Sequence, residues 1–262
     1  MNLDSVKRIG VAAAYKAADV LRAKFGRLRH ISKKGAVDLV TEADLASEQV
    51  IIETVRRAFP DHGILAEESG ETRGRSDACW IIDPLDGTTN FAHGLGFFSI
   101  AIAFARAQDI VFGTVLNPVT GELFCATADR GATLNGAAIG VSDTETVEES
   151  LLVTGFPYNT REILPTIMTR FTHCVGAAQG VRRLGSAALD LCYVACGRFD
   201  AFWEQNLKPW DTAAGWLIAK EAGAVSTDFS NRPFSLDKQK LLTSNGKIHN
   251  EMLGLLQIGE TI

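Results

Sequence analysis

Residues 80–91 of the chain read Trp80-Ile-Ile-Asp83-Pro-Leu-Asp86-Gly-Thr-Thr-Asn-Phe91. The apolar start of this stretch predicts a buried β-strand, and Pro84 lacks the backbone N–H that a regular strand ladder needs. In an uninterrupted strand, Asp83 and Asp86 would point to opposite faces, because they are three positions apart. We therefore predict a turn at Pro84 that brings both carboxylates together and frees the carbonyl oxygen of Leu85 as a further oxygen ligand.

Two other segments place acids at the ends of apolar patterns. Ile64-Leu-Ala-Glu67-Glu-Ser69 is a short strand pattern that ends in acids, and Trp210-Asp211-Thr-Ala-Ala-Gly215 opens a helix pattern. Carboxylates without accompanying thiols or histidines suit Mg²⁺ or Mn²⁺ and do not suit zinc or copper. The free N–H groups that follow Gly87, at the start of a helix or tight turn, would attract an anion.

Electrostatic repulsion supports a cation if these acids converge. At about 6 Å and an effective dielectric constant of about 20, each pair of carboxylates repels by roughly 3 kcal/mol. Four carboxylates form six pairs, which together cost on the order of 15 kcal/mol, more than the stability of a typical domain. A convergent cluster must therefore bind cations or become protonated.

Each segment also has an ordinary structural interpretation. Asp83-Pro84 is compatible with a plain turn, and Glu67 with its neighbour Glu68 is compatible with a solvated loop. Asp211 could cap a helix and complement its dipole. Asp44, three residues after Thr41, is compatible with a capping arrangement at the start of a helix. The residues alone leave these alternatives open.

The composition is that of a packed globular protein. The chain has 262 residues, of which 46% are hydrophobic, and its formal net charge is −5. This apolar fraction excludes a disordered chain. The mild acidity argues against a nucleic-acid partner, which a basic face or domain would indicate.

Neither a membrane span nor a secretion signal is expected. The longest apolar stretch, residues 97–105, contains Ser99 and is much shorter than the roughly 20 residues that a spanning helix needs. The N-terminal segment includes Asp4, Lys7 and Arg8, which interrupt any signal-peptide core. We therefore expect a cytoplasmic protein without a membrane partner.

The five cysteines are scattered and odd in number, and none forms a Cys-x-x-Cys motif. Cys192 and Cys196 are the one close pair, spaced i,i+4 in an apolar helical pattern. This usage predicts free thiols in a reducing compartment and no zinc site.

Hydrophobic periodicity predicts a mixture of helices and strands. The helices are expected at residues 3–25, 42–58, 163–171, 186–195, 212–221 and 249–256. The strands are expected at residues 64–66, 80–82, 98–105, 110–116, 151–154, 200–203, 224–227 and 241–243. Thr41 is the expected N-cap of the second helix, which Pro60 stops.

This order predicts a layered α/β fold of the α+β kind, since the helices and strands do not alternate strictly. An antiparallel meander is expected after residue 98, because a turn at residues 118–121 and Gly/Asn signals at residues 131–140 separate its strands. Residues 1–262 form a single unit in this interpretation, with possible lobes at roughly 1–147 and 148–262.

The acidic segments carry a family resemblance. Asp83-Pro-Leu-Asp-Gly-Thr-Thr-Asn-Phe91 and Trp210-Asp-Thr-Ala-Ala-Gly215 resemble the two signatures of the inositol monophosphatase family, and Glu67-Glu68-Ser69 stands where that family has its third acidic element. The resemblance extends from Asp38-Leu-Val-Thr-Glu-Ala-Asp44 to Ala224. It implies an αβαβα sandwich and Mg²⁺-dependent hydrolysis of a phosphate monoester.

The resemblance also implies residue roles. It implies two or three Mg²⁺ ions, with Mn²⁺ as a substitute. Their ligands would be Glu67, Asp83, the Leu85 carbonyl, Asp86 and Asp211. Thr88 and Asp44 would orient and deprotonate the attacking water, with Glu67 contacting the same region. The substrate contacts would be Gly87, Thr88, Gly185, Ser186, Ala187, Glu204, Asp211 and Lys33.

The implied substrate is a small phosphorylated polyol or sugar, and the Gly87-Thr-Thr-Asn-Phe91 ending is similar to that of the inositol-1-monophosphatase branch. Fructose 1,6-bisphosphate is the enzymatic alternative, and histidinol phosphate is a more distant one. A regulatory or scaffolding protein on the same fold is the alternative from another class. The resemblance further implies a homodimer and inhibition by Li⁺.

Overall fold

The computed structural model describes residues 2–27, 31–33, 39–157 and 159–257. The helices are α1 (Leu3–Lys24), α2 (Glu42–Ala58), α3 (Thr88–Ala92), α4 (Thr160–Ala177), α5 (Ala187–Ala195), α6 (Pro209–Glu221) and α7 (His249–Leu256). The first strands are β1 (Ile31–Lys33), β2 (Leu39–Thr41), β3 (Gly63–Ala66), β4 (Gly70–Thr72), β5 (Ala78–Asp86), β6 (Ser99–Arg106), β7 (Asp109–Leu116) and β8 (Leu123–Thr127). The remaining strands are β9 (Ala132–Leu134), β10 (Ala137–Ala138), β11 (Leu151–Thr154), β12 (Gly180–Arg182), β13 (Ala201–Gln205), β14 (Val225–Thr227) and β15 (Lys240–Ser244).

The elements stack in five layers. An eight-stranded sheet has the order β10-β9-β8-β7-β6-β5-β3-β4, and a five-stranded sheet has the order β12-β11-β13-β15-β14. Helices α1 and α2 cover one face of the larger sheet, and α5 and α6 fill the space between the two sheets. Helices α4 and α7 cover the outer face of the smaller sheet. This is the αβαβα sandwich that the resemblance implied, and the predicted antiparallel meander runs from β5 to β10.

The central strands are buried on both faces, which explains their nearly continuous apolar sequence. In β5, Trp80 and Ile82 pack against the layer of α1 and α2. Ile81 points the other way, into the layer of α5 and α6. This alternation follows from the two-residue period of a strand. Burial on both sides removes the polar alternation that a half-exposed strand would show.

Strand β5 continues through Pro84, so the prediction of a turn there was wrong. Asp83 pairs with Ala101, and Asp86 pairs with Ser99. Three residue steps on β5 therefore match two on β6, which is a β-bulge with one extra residue. Because paired residues of antiparallel strands share a face, the bulge turns Asp86 to the same face as Asp83. The two carboxylates converge as predicted, but by a different local geometry.

Most predicted elements are confirmed with small changes in their ends. The largest difference is α4, which extends over Thr160–Ala177 instead of residues 163–171, with a kink at Ile163 just before Pro165. Thr41 caps α2 as predicted, accepting a hydrogen bond from the N–H of Ala43 at 3.0 Å. All five cysteines are free, with three buried and two half-buried. Within the described residues, no helix combines the length and the apolar character needed to cross a membrane.

The division into lobes remains a prediction. The strands of the larger sheet precede residue 139, and those of the smaller sheet follow residue 150. Helices α5 and α6 nevertheless belong by sequence to the second half and pack on the larger sheet. Both halves therefore contribute to the same apolar layer.

Candidate active site

The parallel pair of β3 and β5 sets the position of the first two acids. Ala66 pairs with Ile82, and the N–H of Glu67 donates to the carbonyl oxygen of Ile82 at 3.2 Å. The carboxyl ends of parallel strands meet at one edge of a sheet, so Glu67, which follows β3, and Asp83, which follows the last β5 residue paired with β3, lie at that edge. The structure thus brings together two acids that the sequence places 16 residues apart.

Asp83 is the most constrained acid of the group. Its side chain is buried, and its Oδ1 accepts a hydrogen bond from the N–H of Leu85 at 3.0 Å. Burial raises the pKa of Asp83 well above its ordinary value, and repulsion from Glu67, Asp86 and Asp211 acts in the same direction. The acids of the three predicted segments therefore lie within electrostatic reach of one another.

The chemistry of these acidic side chains suits a divalent cation. The donors are carboxylate oxygens that repel one another, which a hard divalent cation would relieve. Over the described ranges, however, no group of three or more His, Cys, Asp or Glu side chains is arranged to hold a metal ion. The acids are neighbours without forming a closed set of ligands.

Asp86 links the bulge of β5 to the start of α5. Its Oδ2 accepts hydrogen bonds from Ser186 Oγ, from Ser99 Oγ at 3.3 Å and from the N–H of Ala188 at 2.9 Å. Its Oδ1 accepts from the N–H of Ala187 at 3.2 Å. Burial raises the pKa of Asp86, and these hydrogen bonds oppose that change. A carboxylate has about four lone-pair positions; three of these hydrogen bonds come from the N-terminus of α5 and the fourth comes from Ser99 of β6.

Asp211 also has a structural partner. It lies in the first turn of α6, and its Oδ2 accepts a hydrogen bond from the N–H of Lys208 at 2.7 Å. The interpretation of Asp211 as a helix cap is therefore correct. Its carboxylate still contributes to the electrostatic environment of Asp83, so the capping role and a role at the cleft are compatible.

Asp44 caps α2, as one interpretation of the sequence expected, and it also contacts Thr88. Its Oδ2 accepts hydrogen bonds from the N–H of Thr41 at 2.8 Å and from Thr41 Oγ1 at 2.6 Å. Its Oδ1 accepts from Thr88 Oγ1 at 3.0 Å. Thr88 Oγ1 also lies 3.1 Å from the carbonyl oxygen of Leu85. Burial raises the pKa of Asp44, and its hydrogen bonds with Thr41 and Thr88 limit that rise.

Gly87 connects β5 to α3 with a backbone geometry that favours glycine. Its φ is 97°, in the left-handed region. A Cβ atom there would lie 3.1 Å from the carbonyl oxygen of Gly185. Asn90, one turn further, donates to the carbonyl oxygens of Phe97 at 2.7 Å and Leu184 at 2.8 Å. These contacts hold the segment before α5 against the start of α3.

These elements surround a cleft of about 290 Å³. Eight of the residues predicted for the site line it: Glu67, Asp86, Gly87, Thr88, Gly185, Ala187, Glu204 and Asp211. Four others are buried and absent from that lining: Asp44, Asp83, Leu85 and Ser186. Lys33 lies in β1, and its side chain is outside the part of the chain that the structure describes, as is the residue Asp38.

The second half of the chain forms the opposite side of the cleft. Burial and repulsion from Asp211 raise the pKa of Glu204 to about 8, and the positive charge of Arg183 opposes this change. Arg183 also lines the cleft, with its guanidinium carbon 5.7 Å from the centre of the Phe156 ring.

Several supporting residues were missed by sequence reasoning. On α2, Ser47 Oγ donates to the carbonyl oxygen of Pro84 at 2.8 Å. The buried carboxylate of Glu48 accepts from the N–H groups of Glu68 at 2.8 Å and Ser69 at 2.9 Å. The sequence spacing could have indicated these residues. Asp44, Ser47 and Glu48 are polar residues at i, i+3 and i+4, on the face of α2 that packs against the sheet.

Asp190 is a further residue that the sequence pattern did not single out. It is fully buried in α5, and neither of its carboxylate oxygens has a hydrogen-bond partner among the described residues. Burial raises the pKa of Asp190 well above its ordinary value, and the nearby charges of Glu204 and Asp86 add to this. The feature of the sequence that could have indicated Asp190 is that it is the one acid in the apolar helical segment of residues 187–195.

Comparisons with known proteins agree with this architecture. The profile of the inositol monophosphatase family matches residues 2–259. An inositol-1-monophosphatase of Synechocystis is 45% identical over 254 residues, covering 96% of this chain and 88% of the relative. A Nus factor SuhB of Pseudomonas aeruginosa is 42% identical over 256 residues, covering 95% of this chain and 94% of that protein.

Solved structures show the same fold. The extragenic suppressor protein SuhB of Bartonella henselae superposes with a TM-score of 0.94 at 38% identity, covering 97% of this chain and 99% of that one. The inositol monophosphatase of Anabaena superposes with a TM-score of 0.89 at 41% identity, covering 98% and 96%. The fold and the cleft define a phosphatase that hydrolyses phosphate monoesters. The chain belongs to the inositol monophosphatase family.

The isolated burial of Asp190 generates a prediction about stability. A carboxyl with a raised pKa in the folded state stabilises the fold below its unfolded-state pKa of about 3.9, and this contribution is lost as the pH rises towards the folded-state value. Asp190→Asn cannot ionise, so its free energy of unfolding should improve relative to the wild type by up to about 1.4 kcal/mol per pH unit between pH 5 and pH 7. Urea titrations without added divalent cations measure this difference.

The control is Asp109→Asn, an exposed acid at the start of β7, which should show the pH dependence of the wild type. A difference between Asp190→Asn and the wild type that stays constant with pH would mean that Asp190 binds the same number of protons in the folded and unfolded states, which would contradict the prediction.

Proposed function

We propose that this chain is an inositol-1-monophosphatase that hydrolyses inositol 1-phosphate to inositol and phosphate by direct attack of water. The observation that carries the proposal is the burial of Asp83 among Glu67, Asp86 and Asp211 at one side of a cleft. Further support comes from relatives named inositol-1-monophosphatase in Synechocystis and Rhizobium meliloti, at 45% and 38% identity.

We propose Mg²⁺ as the cofactor, with two or three ions per site and Mn²⁺ as a substitute. The residues that would hold it are the carboxylates of Glu67, Asp83, Asp86 and Asp211 and the carbonyl oxygen of Leu85. When bound, Mg²⁺ neutralises the phosphate, lowers the pKa of water and stabilises the leaving alkoxide. Asp86 would exchange one or more of its hydrogen bonds with α5 for this role. Li⁺ at tens of millimolar is expected to inhibit by competing for the same carboxylates.

In this proposal, Thr88 and Asp44 prepare the attacking water. Thr88 Oγ1 accepts a proton from water as it passes its own proton to Asp44 Oδ1, 3.0 Å away. Burial raises the pKa of Asp44 above its ordinary value, which makes it a stronger base than an exposed aspartate. Glu67, which lines the cleft, contacts the same region. No side chain needs to form a covalent intermediate.

The remaining residues hold the substrate. The N–H groups of Gly87 and Thr88 at the start of α3 would bind the phosphate, together with Lys33. The segment of Gly185, Ser186 and Ala187, with Glu204 and Asp211, would receive the hydroxyl groups of the polyol. The cleft is lined by acids on both sides, so the polyol hydroxyls have several acceptors for their protons.

The central test compares phosphate release with and without Mg²⁺ from inositol 1-phosphate, fructose 1,6-bisphosphate, adenosine 3′,5′-bisphosphate and histidinol phosphate. We expect Mg²⁺-dependent turnover with the highest kcat/KM for inositol 1-phosphate. Asp83→Asn removes the carboxylate at the centre of the cluster, so we expect kcat to fall by about a hundredfold or more. Asp109→Asn, on the exposed start of β7, should keep the activity of the wild type.

Preference for another ester of the panel would replace the proposed substrate. Full turnover by Asp83→Asn with an unchanged requirement for Mg²⁺ would reject the ligand assignment. Circular dichroism of Asp83→Asn separates loss of the site from loss of the fold.

The proton path from Thr88 to Asp44 has its own test. Thr88→Ala removes the hydroxyl group, and we expect kcat to fall by about 10²- to 10⁴-fold, the usual contribution of acid–base catalysis. Thr88→Ser retains the hydroxyl group and should keep most of the activity. Equal losses in both variants would show that the methyl group of Thr88, and not its hydroxyl, matters.

A second candidate function is binding of a partner on the same fold. Its support is the relative of Pseudomonas aeruginosa, which is named as a Nus factor and not as a phosphatase. Asp83→Asn also discriminates here: a cellular role that survives the loss of hydrolysis would favour binding, whereas loss of both would favour catalysis. The acids of the cleft favour catalysis as the main function.

We further propose that the chain forms a homodimer in the cytoplasm. Five free cysteines are typical of a reducing compartment. Leu164, Met168 and Val175 of α4 are 44%, 39% and 51% exposed. At 100° per residue they project within about 40° of one another, so they form one apolar stripe on the outer layer.

Size-exclusion chromatography with light scattering tests the dimer. We expect a mass of twice the chain for the wild type. Met168→Asp places a charge in the stripe and should produce a monomer, because burying an unpaired charge is costly. Val119→Asp, at an exposed turn, is the matched control and should remain dimeric. A monomeric wild type would reject the proposal.

A further inference from the structure

Gly155 directly follows β11, whose last residue, Thr154, pairs with Trp203 of the parallel strand β13. A Cβ atom at position 155 would lie 1.9 Å from Glu204 Oε2 and 2.3 Å from its Cδ. Atoms that are not bonded to each other cannot approach so closely. The carboxyl group of Glu204 therefore occupies the space that a side chain at position 155 would need.

The backbone of Gly155 does not itself require glycine. Gly155 is not among the glycines with positive φ. An alanine could therefore adopt its backbone conformation without entering the left-handed region. The constraint at this position is space, and the group that fills the space is the carboxyl of Glu204.

Both residues line the cleft. The clash would involve the far end of the Glu204 side chain and not a backbone atom of β13. A methyl group at position 155 would therefore move the carboxyl group within the cleft while the two strands stay paired. In a cleft that receives a polyol, such a movement changes the hydrogen bonds to hydroxyl groups and leaves the reacting phosphate in place.

We infer that Gly155 is a specificity-determining position, because its missing side chain sets where the carboxyl group of Glu204 stands for hydroxyl-rich substrates. This inference rests on the proposed function. Gly155 acts through Glu204 and is a positioning residue. It makes the cleft discriminate between a polyol ester and an ester whose alcohol has no free hydroxyl groups.

The test measures kcat and KM of Gly155→Ala for two substrates, inositol 1-phosphate and p-nitrophenyl phosphate. The alcohol of the second ester carries no free hydroxyl groups for Glu204 to bind. We expect KM for inositol 1-phosphate to rise about tenfold, as for the loss of one hydrogen bond. The kcat for inositol 1-phosphate and both constants for p-nitrophenyl phosphate should stay within about twofold of the wild type. The substitution weakens a contact with the hydroxyl groups of the substrate and leaves the groups that act on the phosphate unchanged.

Two controls separate positioning from general effects of the substitution. Gly176→Ala adds the same methyl group at an exposed site of α4 with no atom within 4 Å, and its constants should match the wild type. Glu204→Ala removes the group that the new methyl would displace. If Gly155 acts through Glu204, the double variant Gly155→Ala/Glu204→Ala should have the KM of Glu204→Ala alone.

The outcomes are distinct. An unchanged KM for inositol 1-phosphate in Gly155→Ala, or a full additional penalty in the double variant, would overturn the inference while the proposed function stands. An equal loss of kcat for both substrates would overturn it as well, because it would assign Gly155 to the chemistry or the fold. A wild type that hydrolyses p-nitrophenyl phosphate but not inositol 1-phosphate would overturn the proposed substrate and this inference together.

Discussion

The repulsion between the buried carboxylate of Asp83 and its acidic neighbours is the constraint on which the rest of this structure depends. Asp83 has almost no contact with solvent, and three further acids raise its pKa in addition to its burial. A fold can keep such a group only where geometry is imposed from several sides. The β-bulge in β5, the parallel pairing with β3 and the packing of α6 on the sheet together impose it.

The acids around Asp83 are stabilised by backbone N–H groups near the ends of helices. Asp44 accepts from Thr41 before α2, Asp86 accepts from the first residues of α5, and Asp211 accepts from Lys208 before α6. Helix N-termini supply unpaired donors and a positive dipole end, which favour carboxylates. The capping of a helix by such a carboxylate therefore does not exclude a further contact of the same side chain with residues of the site. One oxygen of Asp44 serves the helix, and the other faces Thr88.

This shared use also limits what local sequence can predict. Asp83 and Asp86 were recognised because an apolar strand, a proline and two acids stand within a few residues of one another. Their convergence was predicted correctly, yet the proposed turn was wrong, because pairing with β6 absorbs one extra residue as a bulge and the strand continues. Asp190 was overlooked because an acid in an apolar helix has no local partner that would draw attention to it. That its carboxylate has no hydrogen-bond partner among the described residues is a property of the packed layer between the sheets.

Local order along the chain was enough to predict six helices, the longest strands, the cap of α2 and the oxygen-rich chemistry of the site, because these depend on residues that lie within about one helical turn or one strand of each other. The short strands β1, β2, β4, β9, β10 and β12 and the strand β8 were missed, and the short helix α3 was expected only as a helix or tight turn. The contacts that complete the site depend on folding. Asp86 meets Ser186 across 100 positions, and the carboxyl group of Glu204 fills the space beside Gly155 across 49. Such pairs have no periodicity or spacing that marks them. They exist because α5 and α6 pack between two sheets, and the free energy of that packing is spread over the whole apolar core.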